Sequence, residues 1–301
     1  MTGEEAQSLV QKGMQRLMSD PQEWDAWAKT LSRFVKYSPG NALLIMVQCP
    51  DASYVAGYRA WQGLGRQVDR GQKAIGILAP VTKKVDHEGT KNTPDPDAKD
   101  RKLVGFRAAS VFDVSQTSGQ PLNIPDPEPL TGNRMLDALQ HLVPVVGVPV
   151  QFGDTGQAYG VWSPREGTIT IKDGIPADHQ FKTLFHEWSH SLGVKTVDEA
   201  ASRHRGLEEI VAETTAFVVA GSLGLDTSEY SRGYIGHWAQ GDQKIVAQAT
   251  NAIGQRVHAI VQAVEKAAAK DPEIKRLIAH WEPVSLAPEP VVDRVAGGRS
   301  R

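Results

Sequence analysis

The chain has 301 residues and a single cysteine, Cys49, so no disulfide can form within it. That excludes a disulfide-stapled fold and fits a reducing compartment. Long apolar runs are missing too. The stretch "NALLIMVQC", 41–49, is far short of the roughly 20 residues that cross a bilayer. The opening "MTGEEAQSLV" lacks the basic-then-apolar order of a secretory leader. These absences set the expectation of a soluble, cytoplasmic protein with no membrane partner. Net charge is almost absent, with 33 Lys+Arg against 35 Asp+Glu.

That balance conceals an asymmetry. Residues 1–125 carry 16 basic and 13 acidic side chains, and the remainder carries 17 and 22. Within 29–84, nine basic residues (Lys29, Arg33, Lys36, Arg59, Arg66, Arg70, Lys73, Lys83, Lys84) meet only Asp51 and Asp69. A local positive excess marks a candidate polyanion-binding surface. Aromatic residues are interleaved with it: Tyr37, Tyr54, Tyr58 and Trp61 alternate with Lys36, Arg59, Arg66, Arg70 and Lys73. Cations for phosphates and ring faces for unstacked bases are what single-stranded nucleic acid requires. Aromatics at such spacing also serve ordinary cores.

Periodicity predicts an α+β organisation. Leu9, Val10, Met14, Leu17 and Met18 form one helical stripe, and Trp24, Trp27, Ala28, Leu31 and Phe34 form a second. Ser38 and Pro39 read as the N-cap and first turn of a third helix. A turn at Arg70-Gly71 leads into a strand, residues 86–102 read as a polar loop, and "LVGFRAASVFDVSQT" returns antiparallel. Residues 1–120 are expected to form an N-terminal α+β domain, 121–133 a linker, 134–282 a second domain and 283–301 a disordered tail. In the second domain "VPVQFG" reads as a strand and "AYGVWSPREGTITIK" as a hairpin turning at Ser163–Gly167. Helices follow: one capped by Asp178 and ended by Gly193, one over about 199–222, and helical pattern over about 242–281.

The helix ending at Gly193 carries "HEWSH". His186 and His190 are four apart, so both imidazoles leave one side of the helix about one turn apart. That spacing suits two nitrogens on one Zn²⁺. Glu187 is rotated away from both and can reach the water that such an ion activates, the general-base place in H-E-x-x-H hydrolases. A histidine at 196 would make the longer metzincin pattern, but Thr196 stands there. The next helix offers Glu209 and Glu213 on one face, with Ala212 and Ala216 leaving room for close packing. Glu209 is taken as the third metal ligand and Glu213 as the residue orienting a histidine through its other ring nitrogen. His204 and His237 rank behind Glu209 as ligands, and Glu208 is read as a solvated charge. Tyr230, Tyr234 and His237 are candidate oxyanion donors.

Tyr37-Ser38, Asn41, Gln48, Pro50, Trp61, Leu64-Gly65, Gly71, Lys73, Pro80 and "VFDVSQT" at 111–117 resemble the N-terminal domain of ArdC-type antirestriction proteins, shared with certain conjugative primases. Gln72 and Arg70 depart from the usual "KGEK". The resemblance extends to the second half, which is similar to ImmA/IrrE-type zincin metallopeptidases through His186–His190 and the later Glu209–Glu213. It implies a mobile-element protein with a single-stranded DNA-binding half and a zincin-like half, opposing restriction of incoming DNA. Asn41, Tyr58, Trp61, Arg66, Arg70 and Lys73 are the candidate DNA contacts, chosen by charge and side-chain type. The implied enzyme is a zinc-dependent, gluzincin-like metallopeptidase, with Zn²⁺ or Mn²⁺ as cofactor and a protein substrate. Two other readings stand beside it: a regulatory peptidase that cleaves a repressor, and a DNA-binding protein whose metal site is structural. Retention of Glu187 argues against the last, since a structural site needs no base.

Overall fold

The computed structural model describes residues 1–84, 101–123, 131, 133–193, 201–226, 242–281 and 285–286. The expectations on Thr196, Tyr230, Tyr234, His237 and most of the 86–102 loop lie outside these residues, as does the side chain of His204.

Three helices open the chain: α1 (Gly3–Ser19), α2 (Pro21–Arg33) and α3 (Pro39–Gln48). Each start is written in the sequence. Thr2 and Glu5 form a capping box, Asp20 accepts from Gln22 N ahead of Pro21, and Ser38 accepts from Asn41 N ahead of Pro39. A short strand β1 (Val55–Ala56) and helix α4 (Tyr58–Gly63) lead to β2 (Arg66–Val68). Two long strands follow, β3 (Ile75–Lys84) and β4 (Arg101–Asp113), paired antiparallel from Ile75–Val111 to Lys84–Arg101 with an irregularity at Val81/Thr82. The sheet order is β1-β4-β3, so β3 is an edge. The strand β5 (Thr117–Gly119) pairs with β2.

Among the described residues, the edge of β3 at Gly76 and Leu78 is met by side chains. From α3, Asn41 Oδ1 accepts from Leu78 N (2.8 Å) and Asn41 Nδ2 donates to Leu78 O (2.9 Å). One edge repeat away, Gln48 Oε1 accepts from Gly76 N (2.9 Å) and Gln48 Nε2 donates to Gly76 O (2.8 Å). Asn41 and Gln48 are seven apart, two helical turns, so both amides leave the same face of α3. Each amide presents one donor and one acceptor and so imitates a strand backbone.

The second half begins with α5 (Asn133–Leu142). The strand β7 (Val150–Gly153) runs parallel to β9 (Thr168–Lys172), and β8 (Gly160–Ser163) closes a hairpin onto β9, giving the order β7-β9-β8. Gly167 N donates to Ser163 O at 2.8 Å, and Gly167 has φ 67°, a left-handed position that favours glycine at the turn. Ile169 and Ile171 of β9 turn into the core. Among the described residues three long helices follow, α6 (Ala177–Leu192), α7 (Ala201–Ser222) and α8 (Gln243–Ala268), and then α9 (Pro272–Leu277). Asp178 lies in the first turn of α6, and the N-cap is Pro176, so the expected cap is off by two positions.

Two further expectations need correction. Leu122–Asn123 form β6 inside the expected linker, and Ser285–Leu286 of the expected disordered tail form β10, which pairs with it. Backbone pairing between distant segments leaves no local hydrophobic signature. The core is also shared across the expected domains. Leu17, Trp24, Trp27, Leu31 and Leu43 lie in the same buried cluster as Phe181, Phe217 and Ile253. A smaller cluster of Phe34, Ile45, Val55, Ile75, Ile77 and Val111 lies beneath the N-terminal sheet. No described helix is long and apolar enough to cross a membrane.

Candidate metal centre

Helix α6 turns Phe181, Leu184, Phe185 and Trp188 into the core and leaves His186 and His190 about one-fifth exposed on the other side. Helix α7 packs along it and presents Glu209 and Glu213 to the two imidazoles. His186 Nε2 and His190 Nε2 are 3.1 Å apart. Glu209 Oε2 lies 3.4 Å from His186 Nε2, and Glu209 Oε1 lies 3.5 Å from His190 Nε2. Two bonds of about 2.0–2.1 Å meeting at a tetrahedral angle set their ligand atoms about 3.3–3.4 Å apart. The two imidazole nitrogens approach that spacing, each faces its own Glu209 oxygen at a similar distance, and one donor atom from each residue lies within 4.8 Å of the others; all three donors are types that bind divalent ions. Glu209 is 64% exposed and sits at the open side.

Glu213 stands behind the triangle. Its Oε2 is 3.0 Å from His186 Nδ1, and its Oε1 pairs with Lys182 Nζ. A carboxylate only accepts, so the His186 proton belongs on Nδ1 and the Nε2 lone pair is left for an ion. Lys182 was not singled out from the sequence. Its spacing of four from His186 was the available signal, since i and i+4 share a helix face.

Electrostatics agree with a cation-seeking site. Burial opposes charge on His186, but Glu209 and Glu213 outweigh it and raise its pKa to about 9. His186 and His190 hold the Glu209 carboxyl well below the usual range. Burial raises the Glu213 pKa, yet the contacts with His186 and Lys182 prevail and the net shift is downward. Without an ion, a proton on imidazole stands where a cation would; metal binding displaces it.

Glu187 is 6% exposed and lies against Gly160 of β8. Burial raises its pKa, against the pull of His186, His190 and the Trp162 backbone N–H that donates to it. The close fit depends on Gly160. A Cβ there would lie 2.4 Å from Thr183 Cγ2 and 2.9 Å from Glu187 Cγ.

The structure departs from expectation at Glu208. This residue is more than a solvated charge: with its side chain 48% exposed, its Oε2 accepts from Arg256 Nη2 at 2.6 Å. Arg256, on α8, is 6% exposed and was invisible in the sequence, where it sits as one cation in an amphipathic pattern.

The six candidate DNA contacts divide into two groups. Trp61 is 0% exposed, and its Nε1 donates to Phe112 O, so no ring face is open to a base. Asn41 spends its amide on Leu78. Arg66 donates from Nε to Thr117 Oγ1 (2.8 Å), from Nη2 to Thr117 O (2.6 Å) and from Nη1 to Gln120 O (2.7 Å), holding β2 to β5. In this structure Trp61, Asn41 and Arg66 hold the fold. Tyr58, Arg70 and Lys73 are exposed. The sequence pattern could not separate the groups, because an interleaved aromatic and cation read alike whether they face solvent or each other.

Comparison with known proteins bears on the chain in two steps. Residues 8–112 match the family model described as the N-terminal domain of anti-restriction factor ArdC. The chain as a whole has the fold of an ArdC antirestriction protein. It matches crystal structures of the ArdC protein from plasmid R388, one metal-free and one Mn(II)-bound, each at 18% identity and a TM-score of 0.54. The match covers 87% of this chain and 99% of theirs. An uncharacterized protein of Bacillus anthracis, pXO2-81, is 26% identical over 80% of this chain and 48% of its own length. The chain thus spans about half of that relative.

Proposed function

We propose that this is an antirestriction protein of a plasmid or other mobile element, with a single-stranded DNA-binding N-terminal half and a zincin-like metallopeptidase site in its second half. The two halves, 1–120 and 134–282, are functional divisions packed on one shared core. The observation that carries the peptidase reading is the convergence of His186, His190 and Glu209: the two Nε2 atoms are 3.1 Å apart, and each faces a Glu209 carboxylate oxygen, at 3.4 and 3.5 Å. Its donor set accepts Zn²⁺ and Mn²⁺ alike. The Mn(II)-bound ArdC structure supports a divalent ion on this fold.

When bound, the ion supplies Lewis-acid polarisation of a carbonyl and lowers the pKa of water. The chain's own residues do the rest. Glu213 fixes the tautomer of His186, and Lys182 holds Glu213. Glu187, beside both histidines, accepts a proton from the attacking water and delivers it to the leaving nitrogen. The Trp162 N–H orients its carboxylate. For DNA, support comes from the ArdC N-terminal domain match and from the exposed Tyr58, Arg70 and Lys73.

Metal analysis of wild type, His186→Ala and Glu187→Gln, followed by gel shifts with single- and double-stranded oligonucleotides at two salt concentrations, tests the reading. Wild type and Glu187→Gln should carry metal and His186→Ala should not. The protein should prefer single strands and bind them more weakly at higher salt. Equal, low metal in all three proteins overturns the site, and equal affinity for both DNA forms overturns the DNA half. Cleavage that persists in Glu187→Gln removes the assigned base.

A further inference from the structure

We infer that Arg256 is a positioning residue for the metal triangle: its buried guanidinium ties together the two helices that carry the ligands. The inference rests on the metal reading above and assigns a task to a charge that reading does not use.

Arg256 lies on α8, outside both metal-bearing helices, and is 6% exposed. Its Nη1 donates to Ser189 Oγ on α6 at 3.3 Å, and its Nη2 donates to Glu208 Oε2 on α7 at 2.6 Å. Ser189 immediately precedes His190, and Glu208 immediately precedes Glu209. Neighbouring helix positions are about 100° apart, so the guanidinium grips each helix one residue round from its ligand. It also reaches the end of α6: a Cβ on Gly193 would lie 2.9 Å from Nη2. A cation there complements the negative end of the helix.

The need for such a grip follows from the rest of the interface. On the ligand-bearing side α6 and α7 meet through the contacts of Glu209 and Glu213 with His186, His190 and Lys182; away from it the two helices contribute apolar residues, among them Phe185, Trp188, Ile210 and Phe217, to one buried cluster. Apolar contact is non-directional and leaves the rotation of one helix against the other loosely set. A planar fork of donors is directional. A metal triangle tolerates errors of only about 0.5 Å in its ligand atoms. A buried guanidinium also costs stability unless paired, which gives the Ser189 and Glu208 contacts a reason beyond surface charge.

The test compares Zn²⁺ and Mn²⁺ affinities of the full chain, by chelator competition, for wild type, Arg256→Met, Arg256→Lys, Glu208→Gln and Val264→Ala. Val264 is a buried residue of the same helix, about two turns further along, and its truncation destabilises without touching the grip. All proteins are first checked for wild-type helical content at the assay temperature. Arg256→Met should weaken metal binding about 10- to 100-fold, the range typical of groups that orient ligands. Arg256→Lys, which keeps the charge but not the fork, should recover part of the loss, and Glu208→Gln should fall between it and Arg256→Met. Val264→Ala should bind as wild type does. If Arg256→Met does not fold, the Arg256→Lys and Glu208→Gln affinities decide. Wild-type affinity in the Arg256 and Glu208 variants, or an equal loss in Val264→Ala, overturns the inference while leaving the metal site standing. A wild-type chain that takes up neither ion overturns the metal reading and this inference with it.

Discussion

His186 Nε2 and His190 Nε2 stand 3.1 Å apart, and each lies within 3.5 Å of a carboxylate oxygen of Glu209. Because the third donor comes from a second helix, removing it should empty the site without disturbing α6. Glu209→Ala is expected to abolish stoichiometric metal while keeping wild-type circular dichroism. Elemental analysis after gel filtration checks this, and a fully loaded Glu209→Ala protein would transfer the ligand role elsewhere.

Glu213 and Lys182 act behind His186. Glu213→Gln keeps the shape but weakens the hold on Nδ1, so metal affinity should fall about 10- to 100-fold. Lys182→Met should lower it less, because Glu213 remains. Chelator competition resolves both. A larger loss for Lys182→Met would reverse the order in which the two residues act.

Trp61 and Asn41 should behave as fold residues. Trp61→Ala is expected to cost about 3–5 kcal/mol in urea unfolding. Asn41→Ala should cost about 1–3 kcal/mol, because Leu78 N–H and C=O lose their partner. Arg70→Ala and Lys73→Ala, at exposed positions, should change stability by less than about 0.5 kcal/mol. On the DNA reading each should also reduce the salt slope of single-strand binding by about one. Unchanged affinity and slope in both would move the DNA surface away from the Arg70–Lys73 turn.

Asp113 supplies a pH test. It is 1% exposed and accepts from Ser53 N, Tyr54 N, Ser115 N and Ser115 Oγ. Burial raises its pKa, but these donors outweigh it and the net shift is downward. A depressed carboxyl stabilises the fold above its unfolded pKa, near 3.8, and the contribution disappears as pH falls through the lower, folded value. Asp113→Asn should therefore lower stability at neutral pH and flatten the acid limb below about pH 4. Parallel acid limbs in variant and wild type would dismiss Asp113 as a source of that limb.

Gly160 marks a close approach of β8 to α6. Gly160→Ala should push Thr183 and Glu187 aside, lower the melting temperature and, on the peptidase reading, lower turnover more than metal content. Thermal melts beside elemental analysis separate the two effects. Unchanged melting would mean that the strand yields without cost.

Much of the fold was legible locally. Ser38 and Pro39 announce a helix start, and the alternation of "TITIK" with Gly167 announces the hairpin. The histidine spacing put His186 and His190 on one face before any coordinates. What stayed hidden shares one cause. The β6–β10 pairing, the burial of Trp61 and the shared core each depend on residues far apart in sequence. Arg256 belongs with them, since it reads as a surface cation until Ser189 and Glu208 are brought to it.

By itself, then, the sequence determined which side chains could bind an ion and on which helical faces they lie. Covalent spacing and helical pitch suffice for that. Only the tertiary structure decided that Glu209 closes the triangle, that Glu208 pairs with a buried arginine, and which cations and aromatics remain exposed. Those outcomes turn on helix-on-helix packing and on competition between solvent and protein partners, and no local pattern encodes either.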